Sequence, residues 1–195
     1  MAFWTDAQNK DPKRAYRFLV NIGNMPNGAQ WYAKAVKKPA ITITEVDHSF
    51  LNHKFYYPGR AEWDTVEVTL VDPVSPDAAA NTAAILQASG YNPPIDVTST
   101  TTISKQDSVN ALGGVIIEQI DSEGNAMETW TLWNPFITGV TYGDLSYEED
   151  SLTEVTLTIR YDWAVLETAN AAQAGGTAAK FNVNQFFKPG TKPGS

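Results

Sequence analysis

Apolar and polar side chains alternate in several short segments, and this alternation is the main structural signal of the chain. It is strongest in residues 153–163, where five apolar residues are interleaved with threonines and charged residues. In residues 63–71, two valines and a leucine likewise alternate with Glu67 and Thr69. A period of two places every second side chain on the same face, so both segments are predicted to be half-buried β-strands.

Weaker signals of the same kind predict further strands at residues 14–22, 30–36, 41–46, 115–121, 128–133 and 136–142. Turn-forming residues at 23–28 separate the first two of these strands, which are expected to pair as a hairpin. Residues 122–125 have the composition of a tight turn and predict a second hairpin between the strands at 115–121 and 128–133.

One helix is predicted, from about Pro76 to Ser89. Ser75 is a suitable N-cap, Pro76 suits the first helical position and Gly90 suits the position after the end. The next segment, residues 91–114, contains two prolines, a threonine-rich run and a pair of glycines, which indicate a long exposed connection.

These elements predict one all-β domain spanning residues 1–195, a mainly antiparallel β-sandwich or barrel with one short α-helix. The segments near 91–114 and 169–195 are expected to be flexible or to form contacts, because their composition gives no regular pattern.

Aromatic residues are concentrated in residues 50–57, which the turn-like sequence 58–60 follows. Their apolar positions show no clear period. Such a segment either folds into its own core or docks on a neighbouring chain, and the pattern leaves both possibilities open.

The composition narrows the possible functions. With 195 residues, 43% of them hydrophobic, the chain has enough apolar material for a core. It has no cysteine, which excludes disulfides, thiolate metal sites and cysteine nucleophiles. The formal net charge is −8, whereas a protein that binds the phosphate backbone of nucleic acid needs positive charge. Neither a secretory signal nor an apolar stretch of spanning length is apparent, so no stable membrane association is expected.

No residue set points to catalysis or to a cofactor. The two histidines, His48 and His53, are five positions apart and lack the partners of a zinc signature, so no metal is predicted. The carboxylates at 148–150 are typical of a solvated turn. A basic cluster at 34–38 lies beside two aromatic residues but is small against the overall negative charge. The chain is therefore predicted not to be an enzyme.

Several segments, in order along the chain, resemble the tail tube proteins of contractile-tailed bacteriophages related to the T-even viruses. The most extensive is DHSFLNHKFYYPGR at residues 47–60, followed by Trp63 and residues 66–73. The opening DPKRAYRFLV at residues 11–20 is similar to the first strand of that family. Further similarity lies in WNPFI at residues 133–137 and YDW at residues 161–163.

The resemblance implies a β-barrel or sandwich fold shared with the ring protein of type VI secretion, and it implies no enzymatic activity. Six subunits would close a hexameric ring, and stacked rings would form a hollow tube in the virion. The implied partners are further copies of the chain, the tail sheath, the baseplate, the tape measure protein and the tail terminator. Viral DNA would pass through the tube without sequence-specific binding, after assembly in the bacterial cytoplasm.

Two groups of residues are candidates for roles in such a tube. The first would dock on a neighbouring subunit or ring, because aromatic side chains dominate interface energetics. It comprises Phe50, Leu51, Phe55, Tyr56, Tyr57 and Arg60. The second comprises Glu67 and Glu154, on the polar faces of their strands, whose charge would repel DNA phosphate from a channel wall.

Two alternatives remain open at the level of sequence. The first is a ring subunit of a phage-derived or type VI-like contractile injection system, which shares the fold but delivers protein. The second is a monomeric β-barrel that binds a small molecule in an apolar pocket.

Overall fold

A computed structural model describes residues 12–25, 32–93, 102–148 and 150–169 of the chain. Within these residues lie ten strands and two helices. In chain order the elements are β1 (Phe18–Ile22), β2 (Ala33–Val36), β3 (Ile41–Phe50), β4 (His53–Trp63), β5 (Val66–Val71), α1 (Ala78–Ala88), α2 (Lys105–Leu112), β6 (Val115–Ile120), β7 (Ala126–Trp133), β8 (Phe136–Tyr142), β9 (Glu154–Arg160) and β10 (Trp163–Thr168).

Two four-stranded antiparallel sheets form the body of the fold. The first has the order β1-β6-β7-β10 and the second has the order β2-β5-β9-β8. Each turns one face inward, and the two inner faces share a buried core. The first sheet contributes Val20, Ile22, Val115, Ile117 and Leu132; the second contributes Val66, Val68, Leu70, Val155, Leu157 and Ile159. The predicted mainly antiparallel β fold is confirmed.

The pairing of the strands confirms one predicted hairpin and corrects the other. Strands β6 and β7 pair around the turn at 122–125 as expected. Strands β1 and β2 do not pair with each other: β1 lies against β6 in the first sheet, and β2 lies against β5 in the second. In these positions Val20 is opposite Ile117 and Val36 is opposite Val68, so each short strand joins a longer apolar partner.

The predicted helix is present as α1, but it is capped two residues later than expected. Asp77, not Ser75, is the N-cap, and its carboxylate accepts a hydrogen bond from the Ala80 N–H at 2.8 Å. Asp72 accepts a second one from the Ala78 N–H at 2.9 Å. Two carboxylates thus satisfy the first free amides of the helix, which a serine hydroxyl alone would not do.

A second helix, α2, lies within the segment that was predicted to be a long exposed connection, so residues 105–112 are helical where no regular structure was expected. Residues 94–101 of the same segment lie outside the described part of the chain. Ser104 caps the helix, since its hydroxyl accepts from the Asp107 N–H at 3.1 Å. Gly113, with φ of 76°, ends it. The glycine pair at 113–114 looked like a loop signal, whereas the first of the two is the C-terminal stop of this helix.

Strands β3 and β4 form a two-stranded sheet of their own. The sequence predicted that a strand would end before residue 47 and that residues 58–60 would form a turn. Instead, β3 continues to Phe50, the turn lies at Leu51 and Asn52, and β4 runs through residues 58–60. A bulge accommodates Pro58 and Gly59, so the strand bends there and does not end.

Candidate assembly surfaces

The β3–β4 hairpin is a long arm that neither sheet covers. Every residue of β3 is exposed, and so is every residue of β4 except Trp63. An isolated two-stranded hairpin is marginally stable in water unless one of its faces packs against something. Because the arm also carries many aromatic residues, it is the leading candidate for a surface that binds another protein chain.

The register of the arm places its apolar side chains together. Val46 is opposite Tyr57, His48 is opposite Phe55, and Phe50 is opposite His53. Directly opposed residues of an antiparallel pair share one face. We call this set of six residues the aromatic face. The apparent lack of a period in residues 50–57 arose because the two-residue turn resets the alternation between Phe50 and His53.

The opposite face of the distal arm is polar. It carries Ser49, Tyr56 and an ion pair between Asp47 and Lys54, whose Nζ donates to Oδ2 at 2.9 Å. Tyr56 and Tyr57 are similarly exposed, at 62% and 57%, although they point to opposite sides. Of the sequence-predicted interface residues, Phe50, Phe55 and Tyr57 therefore lie on the aromatic face, Tyr56 lies behind it, and Leu51 is at the tip.

The sixth predicted interface residue, Arg60, belongs to the bulge of the arm. Its backbone N–H donates to the Thr44 hydroxyl at 2.8 Å, and that hydroxyl returns a hydrogen bond to the Arg60 carbonyl at 3.3 Å. Gly59 passes so close to β3 that a Cβ there would lie 2.9 Å from the Thr44 carbonyl oxygen. Thr44 and Gly59 thus fix the bend between the base of the arm and its aromatic end.

The candidate lumen residues Glu67 and Glu154 share the outer face of the second sheet. Glu67 is opposite Thr158 and Glu154 is opposite Val71, so both carboxylates point away from the core. Glu67 is exposed, whereas Glu154 forms an ion pair with Lys34 of β2. Threonines lie between the two glutamates and make this face polar. The Oγ1 atoms of Thr69 and Thr156 are 3.4 Å apart.

A buried carboxylate, Glu128, lies at the β1 and β2 end of the sandwich. Its residue is 8% exposed. Lys38 donates to Oε1 at 2.7 Å, Trp130 Nε1 donates to the same oxygen at 2.7 Å, and Lys13 donates to Oε2. Burial acts to raise the pKa of Glu128, but these three donors outweigh it and lower the pKa to about 2. The carboxylate is therefore charged in the folded chain at neutral pH.

The two histidines lie on the aromatic face, while Asp47 is on the other side with Lys54. In the part of the chain that the structure describes, no cluster of three or more histidine or acidic side chains is arranged to hold a metal ion. Among those same residues, no helix has the length and apolar character needed to span a membrane.

Sequence reasoning missed two features of these surfaces. The first is the Glu128 cluster, because its partners are 90 and 115 positions distant along the chain. The second is the alternation inside the arm, for which a signal existed. Moving the turn from residues 58–60 to residues 51–52 would have revealed a period of two on both sides of it.

Comparisons with known proteins give a consistent result at the level of the fold. No family model matches the chain, and no curated protein matches it either. Among solved structures, one similar chain comes from the sheath–tube complex, in its extended state, of PVC, an extracellular contractile injection system. Its TM-score is 0.60 and its sequence identity is 14%. That match covers 87% of this chain and 100% of the other.

Two chains from the anti-feeding prophage are similar to the same degree. One, from its tube-terminating cap, has a TM-score of 0.61 at 16% identity and covers 87% of this chain and 100% of the other. The second, from its six-fold symmetrised baseplate, has a TM-score of 0.60 at 16% identity and covers 82% and 97%. The chain described here therefore has a fold found in contractile injection particles.

Proposed function

We propose that the chain is a non-enzymatic structural subunit, and that copies of it assemble into the inner tube of a contractile phage tail. The observation that carries this proposal is the uncovered β3–β4 arm with its aromatic face. Folding of one chain leaves Phe50, Phe55 and Tyr57 in water, and burying them on another copy removes a large apolar area from solvent.

Other observations support the same role. The chain shares its fold over the whole length of a chain in a sheath–tube complex. Among the residues that the structure describes, the sandwich also has four edge strands, β1 and β10 in the first sheet and β2 and β8 in the second. Unpaired strand edges are a liability for a soluble monomer, and an assembly of identical subunits covers them.

In this proposal, six subunits form a ring, and stacked rings form a hollow tube inside a sheath. A baseplate starts the tube, a tape measure protein sets its length, and a tail terminator ends it. The subunits assemble in the bacterial cytoplasm and become part of the virion. Viral DNA passes through the lumen without sequence-specific binding, and Glu67 and Glu154 belong to its wall.

A protein-delivering injection tube is the second candidate. It is favoured by the origin of the similar structures, which come from an extracellular contractile injection system and the anti-feeding prophage. The cargo of purified particles separates the two candidates. Nuclease-protected DNA in particles that contain this chain supports the phage tail, whereas particles that carry protein and no DNA support the injection system.

The aromatic face gives a direct test of the tube proposal. We expect Phe55→Ser with Tyr57→Ser to abolish assembly in light scattering at concentrations where the unaltered chain polymerises. Tyr56→Ser is the matched control, because Tyr56 is at least as exposed as Phe55 and Tyr57 and lies on the opposite face of the same strand. Both variants should keep the circular dichroism of the sandwich. Normal assembly of the double variant would contradict the proposed role of the arm.

A further inference from the structure

Large apolar side chains are exposed at one end of the second sheet, on the connections from β5 to α1 and from β8 to β9. Val74 lies in the first connection, and Leu145, Tyr147 and Leu152 lie in the second. Leu145 is 86% exposed, Leu152 is 72% exposed, and Val74 and Tyr147 are fully exposed. We call these four residues the apolar end. Several large apolar side chains displayed at one place mark a surface that binds a partner.

Backbone hydrogen bonds hold the two connections side by side. The Asp72 N–H donates to the Thr153 carbonyl at 2.9 Å, and the Gly143 N–H donates to the Glu154 carbonyl at 2.8 Å. Each bond lies within two residues of a member of the apolar end. The apolar end is therefore attached directly to the ends of β5, β8 and β9, which gives a docking partner a preformed surface.

The β3–β4 arm joins the opposite end of the same sheet. Val71 is paired with Glu154 beside the apolar end, whereas Val66 is paired with Ile159 at the other end of β5. Only two residues separate β4 from Val66, so the base of the arm lies at this second end. The six residues of β5 rise about 3.3 Å each, which places the two ends roughly 20 Å apart.

The aromatic face of the arm and the apolar end do not cover each other within one chain, because both are exposed. An open aromatic side chain offers roughly 150–250 Å² for burial. Together the two surfaces expose an area on the order of 1,000 Å², which is about the minimum for a specific protein interface. Contact between two different surfaces of identical chains is head-to-tail, and its repetition gives a closed ring or a helical stack.

From this arrangement we propose that the aromatic face of one copy docks on the apolar end of the next copy, with Leu145 and Tyr147 packed against Phe50, Phe55 and Tyr57. The contact removes from water two apolar surfaces that the folding of one chain leaves exposed. The inference rests on the proposed tube, because it identifies the surface of the next copy that receives the arm.

Cysteine cross-linking tests this contact without background, because the chain has no cysteine. One chain would carry His48→Cys on the aromatic face and Ser146→Cys between the two apolar residues of the loop. After assembly, a short bis-maleimide is expected to join copies into dimers, trimers and larger species in a denaturing gel. The control combines His48→Cys with Ser122→Cys, on a turn that has no apolar side chain, and should remain monomeric. Assembled particles with no covalent ladder from the first pair would overturn the inference and leave the tube proposal intact.

A second measurement does not depend on assembly, because it uses two variants that each keep one of the surfaces. The arm variant, Phe55→Ser with Tyr57→Ser, keeps most of the apolar end and carries Ser146→Cys. The end variant, Tyr147→Ser, keeps the aromatic face and carries His48→Cys. A third mixture pairs the arm variant with a chain that has an intact apolar end and His48→Cys, so that both docking surfaces are complete. Circular dichroism should show that every variant keeps the sandwich.

The bis-maleimide should join the mixture with both docking surfaces complete at least about tenfold faster than a matched mixture in which Ser122→Cys replaces Ser146→Cys, because docking raises the local concentration. With the end variant, in which Tyr147→Ser removes the largest side chain of the apolar end from the chain that carries His48→Cys, this rate should not change, since the docking site belongs to the other chain. Moving Tyr147→Ser to the chain with Ser146→Cys should remove most of the advantage. Equal rates at Ser146→Cys and Ser122→Cys would contradict the docking site, whether or not the chain forms tubes, and would assign the apolar end to a different protein.

Discussion

Lys105 at the start of α2 donates to both carboxylate oxygens of Asp162, at 2.7 and 2.8 Å, and so joins the second helix to the corner between β9 and β10. Asn134 donates to the same carboxylate at 2.8 Å. The hydrogen bonds from Lys105 lower the pKa of Asp162, against a partial burial that raises it, and Asn134 lowers it further. One carboxylate thus connects a helix and two strand ends that are far apart in the chain.

Replacing Asp162 by Asn should lower the free energy of unfolding by about 0.5–1 kcal/mol, because partly exposed ion pairs contribute little more than that. We expect amide exchange in α2 to accelerate more than exchange in the core strands. Hydrogen exchange followed by mass spectrometry measures both. Glu123→Gln on the exposed β6–β7 turn is the control. If the amides of α2 exchange equally slowly in the two variants, the ion pair between Lys105 and Asp162 does not stabilise the helix.

The lowered pKa of Glu128 predicts that the folded chain loses stability in acid. Its pKa falls from 4.5 in the unfolded chain to about 2 in the folded one, so its contribution to stability is complete above pH 4.5. As the pH falls from 4.5 towards 2, the unfolded chain takes up the proton first and the contribution is lost. Its magnitude is on the order of 3 kcal/mol at most.

Glu128→Gln should therefore be less stable than the unaltered chain at pH 7, because Lys13 and Lys38 lose their charged partner. The loss is expected at about 1–3 kcal/mol. The difference in free energy of unfolding between the two proteins should disappear as the pH falls from 4.5 to 2, and urea unfolding monitored by tryptophan fluorescence measures it. A gap that stays constant over this range would refute the assigned pKa.

Gly59 should matter for assembly and not for the stability of the sandwich. A Cβ at this position would crowd Thr44 across the bulge, so Gly59→Ala should change the bend of the arm. Because the arm lies outside the core, the thermal midpoint should hardly change while assembly is impaired. Gly114→Ala is the control, since a Cβ there meets nothing within 4 Å. Unimpaired assembly of Gly59→Ala would show that the bend is not needed.

The placement of Glu67 in a channel wall predicts a change in DNA binding. Glu67→Lys should leave assembly intact, but the resulting tubes should retain DNA in a salt-dependent manner, because lysine neutralises phosphate and releases its counterions. Glu123→Lys, on an exposed turn, makes the same change of charge elsewhere. Short DNA and filter retention would measure the effect at several salt concentrations. Equal retention by the two variants would place Glu67 outside the wall.

The local patterns predicted the inner face of the sandwich well. Valine, leucine and isoleucine at every second position of β5 and β9 are buried as expected, because a one-residue shift would turn the whole set into water. Strand β8, the β6–β7 turn and the region of α1 also follow from residues close together in sequence.

The remaining features depend on interactions that a local pattern does not contain. Strand β1 pairs with β6, almost a hundred positions away, so turn-forming residues after β1 gave the wrong partner. In α2 a Ser104 cap and a Gly113 stop enclose only eight residues, four of which (Asp107, Ser108, Val109 and Asn110) are weak helix formers, and Ser108 and Leu112 are buried against the rest of the fold. In β4, Pro58 and Gly59 were interpreted as breakers, whereas a two-stranded arm tolerates them at a bulge.

Negative-stain electron microscopy of the purified chain, concentrated in steps with light scattering at each step, tests the central claim most directly. The account predicts hollow rings with six-fold symmetry, or tubes made by stacking them, with a mass that rises with concentration. A chain that remains monomeric up to the millimolar range, also after baseplates are added to start the tube, would contradict the claim that this chain forms a tube.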